Sequence, residues 1–190
     1  MQTRKLHLVS GTLLAAFIGI HLFNHLISIW GVEQHIQLMN QLRKIYRHPV
    51  VELILFLSIG LQLFSGIRLA RRKEKNKLPG YEKLQLFTGL YLSFFLLIHI
   101  AAILVGRYYL HLNTNIYFGA AGINYFPVNL FFIPYYALAI LSFFGHIAAL
   151  LKSRILLIAG LFITLLIFYG LTNHFSGIDL PKEYMLLIGR

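Results

Sequence analysis

There is no cysteine among the 190 residues of this chain. That absence excludes disulfides, thiolate-ligated haem, Cys-held iron–sulfur clusters and a Cys nucleophile. Acidic residues are scarce too. Six Asp and Glu stand against 17 Lys and Arg, and charged residues make up 12% of the chain, where a soluble domain carries about 25%. Hydrophobic residues reach 58% and the mean hydropathy is +0.71. A soluble core of this size cannot hide so much apolar surface, because small domains bury only about two-thirds of their chain surface. Lipid is the remaining solvent. Disorder, collagen and a coiled coil are excluded as well. The net charge of +11 lies in short segments beside apolar runs, which suits anionic headgroups. With no basic groove of interleaved aromatics, a nucleic-acid partner is not expected.

Five apolar runs approach the length of about 20 residues that crosses a bilayer: about 8–30, 50–70, 84–106, 128–151 and 155–172. The expected fold class is an all-α integral membrane bundle of five transmembrane helices, forming one domain over 1–190. The first run is too long for a secretion signal and has no small-residue cleavage site, so it reads as a retained anchor. Residues 33–47 place apolar side chains at 36, 38, 39, 42 and 45. This helical spacing predicts a short interfacial helix between the first two spans, with Arg43, Lys44 and Arg47 toward headgroups. Pro49 suits the first turn of span two. Pro79-Gly80 marks a turn after the basic hinge 71–77, and residues 108–126 read as an uncharged loop whose aromatics form an interfacial belt. No internal repeat is expected.

Lys and Arg set the expected orientation. With the N-terminus inside, eleven fall on inner segments, among them Arg4, Lys5, Arg68, Arg71, Arg72, Lys73, Lys152 and Arg154. Six fall outside: Arg43, Lys44, Arg47, Arg107, Lys182 and Arg190. The excess places the N-terminus inside, and a bacterial cytoplasmic membrane is the expected location.

Ionisable groups within lipid are costly and point to function. His21 and His25 lie near the outer end of span one, and His99 lies roughly 10 Å deep in span three at a rise of about 1.5 Å per residue. Gln62 in span two and His146 in span four share a second, inner level. Positions 7, 11, 14, 18, 21, 25 and 28 make one helical stripe, so His21 and His25 point the same way. His35, His48, His111 and His174 fall near interfaces, where polar solvation accounts for them. Two histidines from different helices at one depth suit a b-type haem, which hides its macrocycle in the apolar core. Zinc wants three or four ligands, often with a carboxylate, and the one acidic residue inside a span, Glu52, sits at its outer edge.

These residues resemble those of the five-helix cytochrome b membrane anchors of succinate dehydrogenase and fumarate reductase. His7-Leu8-Val9-Ser10-Gly11 is similar to the His-x-x-Ser/Thr-Gly opening of that family's first helix. His21-Leu22-Phe23-Asn24 is similar to its His-Leu-x-x-Asn haem-ligand segment, and Ser65-Gly66-Ile67-Arg68 to the Gly-Ile-Arg end of its second helix. His99 and His146 fall where its third and fourth helices carry ligands, and the likeness covers about residues 1–151. The resemblance implies haem b held by His21 and His99, with His25 competing for the first-helix position. It implies an inner pair at position 62 and His146, but Gln62 stands where a histidine is expected, and glutamine is a poor ligand for haem iron. His146 is then left to bind a quinone headgroup, to hydrogen-bond Gln62, or to ligate haem from one side. The implied partners are an iron–sulfur subunit and a flavoprotein on the inner face, with Arg68, Arg71 and Arg72 as docking or propionate groups, and Arg43, Lys44 and Arg47 serving propionates outside. The implied function is electron transfer between that partner and membrane quinone. A haem-free scaffold of the same fold, motivated by Gln62, is the alternative.

Overall fold

A computed structural model describes residues 2–74 and 78–190; Lys75 and Lys77 of the basic hinge lie outside them. The described chain is 82% helical and without strands, and five helices are long and apolar enough to cross a membrane. This is a multi-pass membrane protein whose spans sit in a lipid bilayer. In lipid a backbone must satisfy its own polar groups, and the α-helix does this within each segment.

The first span is α1 (Gln2–Ile27), which begins nearer the terminus than its hydropathy predicts and ends in a 3-10 turn at Ser28–Trp30. Gly31, at φ 127°, makes the corner into α2 (Val32–Tyr46), a conformation open mainly to glycine. Apart from the buried His35 and Met39, α2 is polar and half-exposed, as an interfacial helix should be. α3 (Pro49–Ala70) starts on its proline, where a missing N–H costs nothing. α4 (Gly80–Leu104) starts at the Pro79-Gly80 turn and runs on through a π-helical turn at Val105–Tyr109. The loop expected over 108–126 instead contains a helix, α5 (Ile116–Asn124), buried along Ile116, Ala120, Ala121, Gly122 and Ile123. α6 (Asn129–Leu151) carries Pro134 within it, and Lys152-Ser153 turns the chain into α7 (Arg154–Leu171). A last 3-10 stretch, Lys182–Ile188, buries Tyr184 against Asn113 and Asn115.

α3 packs chiefly on α1, α6 on α4, and α7 on α6 and α1. The helix order shows a repetition where none was expected. A span, a short helix and a returning span (α1–α2–α3) are followed by the same series (α4–α5–α6). One sequence interval separates Ser10 from Thr88, Gly11 from Gly89, Phe17 from Phe95 and His21 from His99. The glycines work reciprocally within each half. A side chain at Gly11 would press on Gln62 of α3, and one at Gly66 on His7 of α1. A side chain at Gly89 would press on His146 of α6, and one at Gly145 on Thr88 of α4. Small residues of this kind let membrane helices approach closely.

One face of the bundle is covered by α2, α5 and the C-terminal turn, and the main apolar core lies beneath it, around Leu22, Ile116, Ile123, Ile140 and Ile167. The opposite, open face carries the exposed Arg4, Lys5, Arg68, Arg71, Arg72, Lys152 and Arg154.

Candidate cofactor site

The core beneath the covered face is not solid. A cavity of about 310 Å³ opens among α1, α3, α4, α5, α6 and α7, and its lining is largely apolar. His21 and His99 enter it from α1 and α4, with ring centroids 6.3 Å apart and planes inclined by 65°. Each ring is steadied by a phenylalanine one turn back on its own helix: Phe17 stacks on His21 at 6.0 Å and Phe95 on His99 at 5.0 Å. Residues four apart share a helix face, so the repeated Phe-x-x-x-His spacing by itself places each ring on its support.

His25 lines the same cavity beside His21, its Nε2 3.2 Å from the His21 Nε2. Its Nδ1 reaches the Nε2 of His35 at 3.3 Å, and that atom also accepts from the Asn24 amide Nδ2 at 3.1 Å. Three imidazoles are thus linked in a row from α1 to α2. His35, read from sequence as a solvated interfacial residue, is 2% exposed. Burial, with His21 and Arg43 near it, holds its pKa down at about 4, so it is neutral at physiological pH. Its Nδ1 and the Asn24 Oδ1 are buried without partners.

Cations gather at the cavity end near α2. Arg43 Nη1 and Nη2 donate to Asn113 Oδ1 at 2.7 Å and to the Thr114 carbonyl at 2.8 Å, and Arg47 Nη2 donates to Thr114 Oγ1 at 3.0 Å. Arg107 pairs with Glu52. Arg43 and Arg47 therefore turn inward over the cavity, while Lys44 alone of the three stays exposed. Arg43 Nε is buried with no partner. Burial lowers the pKa values of both Arg43 and Arg47, so one end of an apolar cavity offers guanidinium groups poorly supplied with counter-ions.

The inner candidates arrange themselves differently from the expected pairing. Gln62 donates from Nε2 to His7 Nε2 at 3.2 Å and accepts on Oε1 from Ser10 at 2.7 Å. His146 faces His7 rather than Gln62 and bonds the Gln85 carbonyl through Nδ1 at 3.1 Å. Arg68 is exposed on the open face, away from both groups. His48, His111 and His174 are exposed, as expected. Of the loop aromatics, Tyr108, Tyr109 and Phe126 are exposed, whereas Tyr117 and Tyr125 pack into the apolar interior. Two residues escaped the sequence reading. His7 stood on the His21–His25 stripe, and His35 precedes Met39 by one turn on the buried edge of α2.

The geometry can be set against what a haem requires. Metal–imidazole bonds of about 2 Å, plus about 1 Å from nitrogen to ring centre, place two opposed imidazoles about 6 Å apart. The His21–His99 separation meets that distance across an apolar cavity, and the arginines stand where carboxylates of a bound macrocycle could be received. The residues fit. A multi-histidine metal ion site is a poorer match, since the described residues contain no group of three or more His, Asp or Glu able to hold a metal ion. No family model, curated protein or solved structure matches the chain.

Proposed function

We propose that this chain is a membrane cytochrome b-like subunit that passes electrons between a peripheral partner of the succinate dehydrogenase or fumarate reductase type and membrane quinone. The observation that carries the reading is the His21–His99 pair, two rings from different helices whose centroids lie 6.3 Å apart on the lining of an apolar cavity. Haem b bound there supplies reversible one-electron chemistry. His21 and His99 would hold it from its two faces, and Phe17 and Phe95 keep those rings from turning. Arg43 and Arg47 would take its propionates, with Arg107 already neutralised by Glu52. His25 lines the same cavity, touches His21 and is tied to His35, which favours it as a positioning residue beside the ligand.

No flavin or nicotinamide fingerprint and no cluster ligand occurs in the chain, so electrons must come from another subunit. The cationic open face, with Arg68, Arg71 and Arg72, suits an iron–sulfur subunit accompanied by a flavoprotein. The test is a visible spectrum of the full chain purified from membranes supplied with haem. A reduced-minus-oxidised b-type band is expected, lost in His21→Ala and His99→Ala and kept in His25→Ala. A colourless, well-folded preparation overturns the reading in favour of a haem-free scaffold.

A further inference from the structure

The spans leave a second hollow, apart from the histidine cavity. At the open-face end of the bundle, α4 begins at Gly80 and α7 at Arg154, and each packs on α6. Between their first turns lies a shallow groove of about 500 Å³, lined by Gly80, Tyr81, Leu84, Arg154, Leu157 and Ile158. Helical spacing grades its walls in polarity. Residues three and four apart share a helix face, so Arg154 stands over Leu157 and Ile158 on α7, and Tyr81 over Leu84 on α4. The two polar side chains therefore sit at the helix ends, at headgroup level, and the apolar ones lie a turn deeper. Gly80 leaves the mouth open, with nothing within 4 Å of where a Cβ would stand.

Neither polar group is already engaged. Glu82, next to Tyr81 in sequence, is paired with Lys73, and Glu52 with Arg107. Among the described residues the exposed Arg154 has no acidic partner. A hollow that faces hydrocarbon is filled by hydrocarbon, since an empty one forfeits the dispersion contacts of its lining. The guanidinium above it then selects what that hydrocarbon is attached to. Arginine recognises phosphate through a fork of N–H donors, and the Tyr81 hydroxyl adds another.

We propose that the groove between α4 and α7 is a site for one anionic phospholipid. Its acyl chain lies along Leu84, Leu157 and Ile158, and its phosphate is held by Arg154 and Tyr81. The site stands whether or not the histidine cavity holds haem. Arg72, a cation exposed on the same face, lines neither hollow and serves as the contrast.

Native mass spectra of the full chain, delipidated in detergent and titrated with phosphatidylglycerol or phosphatidylcholine, count the bound lipids and give their affinities. One phosphatidylglycerol should bind ahead of the others, and ahead of phosphatidylcholine by about fivefold, the effect of one cation at a membrane surface. Arg154→Gln should remove that preference. Leu157→Trp keeps the charge but fills the groove, and should weaken the first binding of both lipids. Arg72→Gln should change neither. All three positions are exposed, so the variants keep the fold. Equal losses in Arg154→Gln and Arg72→Gln would show diffuse attraction to the open face and overturn the site. A first phosphatidylglycerol that is indifferent to Leu157→Trp, or that glycerol 3-phosphate alone displaces, would overturn it too, because the groove would then have no part in binding.

Discussion

Nδ1 of His25 and Nε2 of His35 lie 3.3 Å apart, and this contact fastens the end of the first transmembrane helix to the interfacial helix that follows it. Replacing His35 with phenylalanine keeps an aromatic ring and removes both nitrogens. His25 Nδ1 and the Asn24 amide then face an apolar interior with nothing to bond. A buried polar group left unpaired costs about 1–3 kcal/mol. His35→Phe is expected to destabilise the chain by about 2 kcal/mol, read as a lower thermal midpoint in detergent. An unchanged midpoint would show that the contact does not fasten the two helices.

The same residue sets a pH dependence. His35 is held at about 4 in the folded chain, against an ordinary value of 6.5. Between those values the unfolded chain binds a proton that the folded chain refuses, so stability rises with pH across that window. The contribution is complete above about pH 6.5 and is lost as pH falls toward 4. At 1.36 kcal/mol per pKa unit it amounts to roughly 3 kcal/mol. Thermal midpoints measured from pH 7 down to 4 should fall steeply in the wild type and less steeply in His35→Phe.

Glu52 and Arg107 form an ion pair at the bilayer edge, their side chains 24% and 19% exposed. Exposed pairs contribute about 0–1 kcal/mol, while breaking a buried one costs about 3–5 kcal/mol. This pair lies between those limits, so Glu52→Gln should cost about 2 kcal/mol by leaving Arg107 without its counter-ion. Arg107→Gln added to it should recover part of the loss, because no uncompensated charge then remains. Stabilities of the single and double variants, compared in a cycle, test the coupling.

The membrane architecture was legible because its physics is coarse: a bilayer demands about 20 apolar residues whatever their order. Finer features depended on contacts that periodicity does not record. α5 was hidden because nine residues containing Gly119 and Gly122 are too short to stand as a helix alone; burial of Ile116, Ala120 and Ile123 holds it. The depth of Gln62 was read from helical rise, but its direction was not. Gly11 and Ser10 on α1 create the niche that draws its amide to His7 instead of His146. His21 and His99 were readable because depth and stripe agree, and their common place in the repeated halves strengthens that choice. His35 was assigned to solvent because its helix is polar; only the fold shows that its buried edge closes over the end of α1.

Gly170 is where α7 meets that corner. A Cβ there would lie 2.7 Å from the Ile29 backbone nitrogen and 2.9 Å from the Ser28 carbonyl carbon. These are main-chain atoms, so no rotamer change can relieve the clash. The Ser28 hydroxyl donates to the His25 carbonyl at 2.6 Å, so displacing this turn also disturbs the base on which His25 and His35 rest. Gly170→Ala should therefore cost about 1–3 kcal/mol, the usual range for overpacking. Gly19→Ala and Gly60→Ala provide the contrast, since nothing lies within 4 Å of a Cβ at either position. There alanine's helix preference of about 1 kcal/mol over glycine should leave stability unchanged or raised. Thermal midpoints of the three variants decide it: equal behaviour at all three would mean that the α7 contact with the Ser28–Trp30 turn is not a tight one.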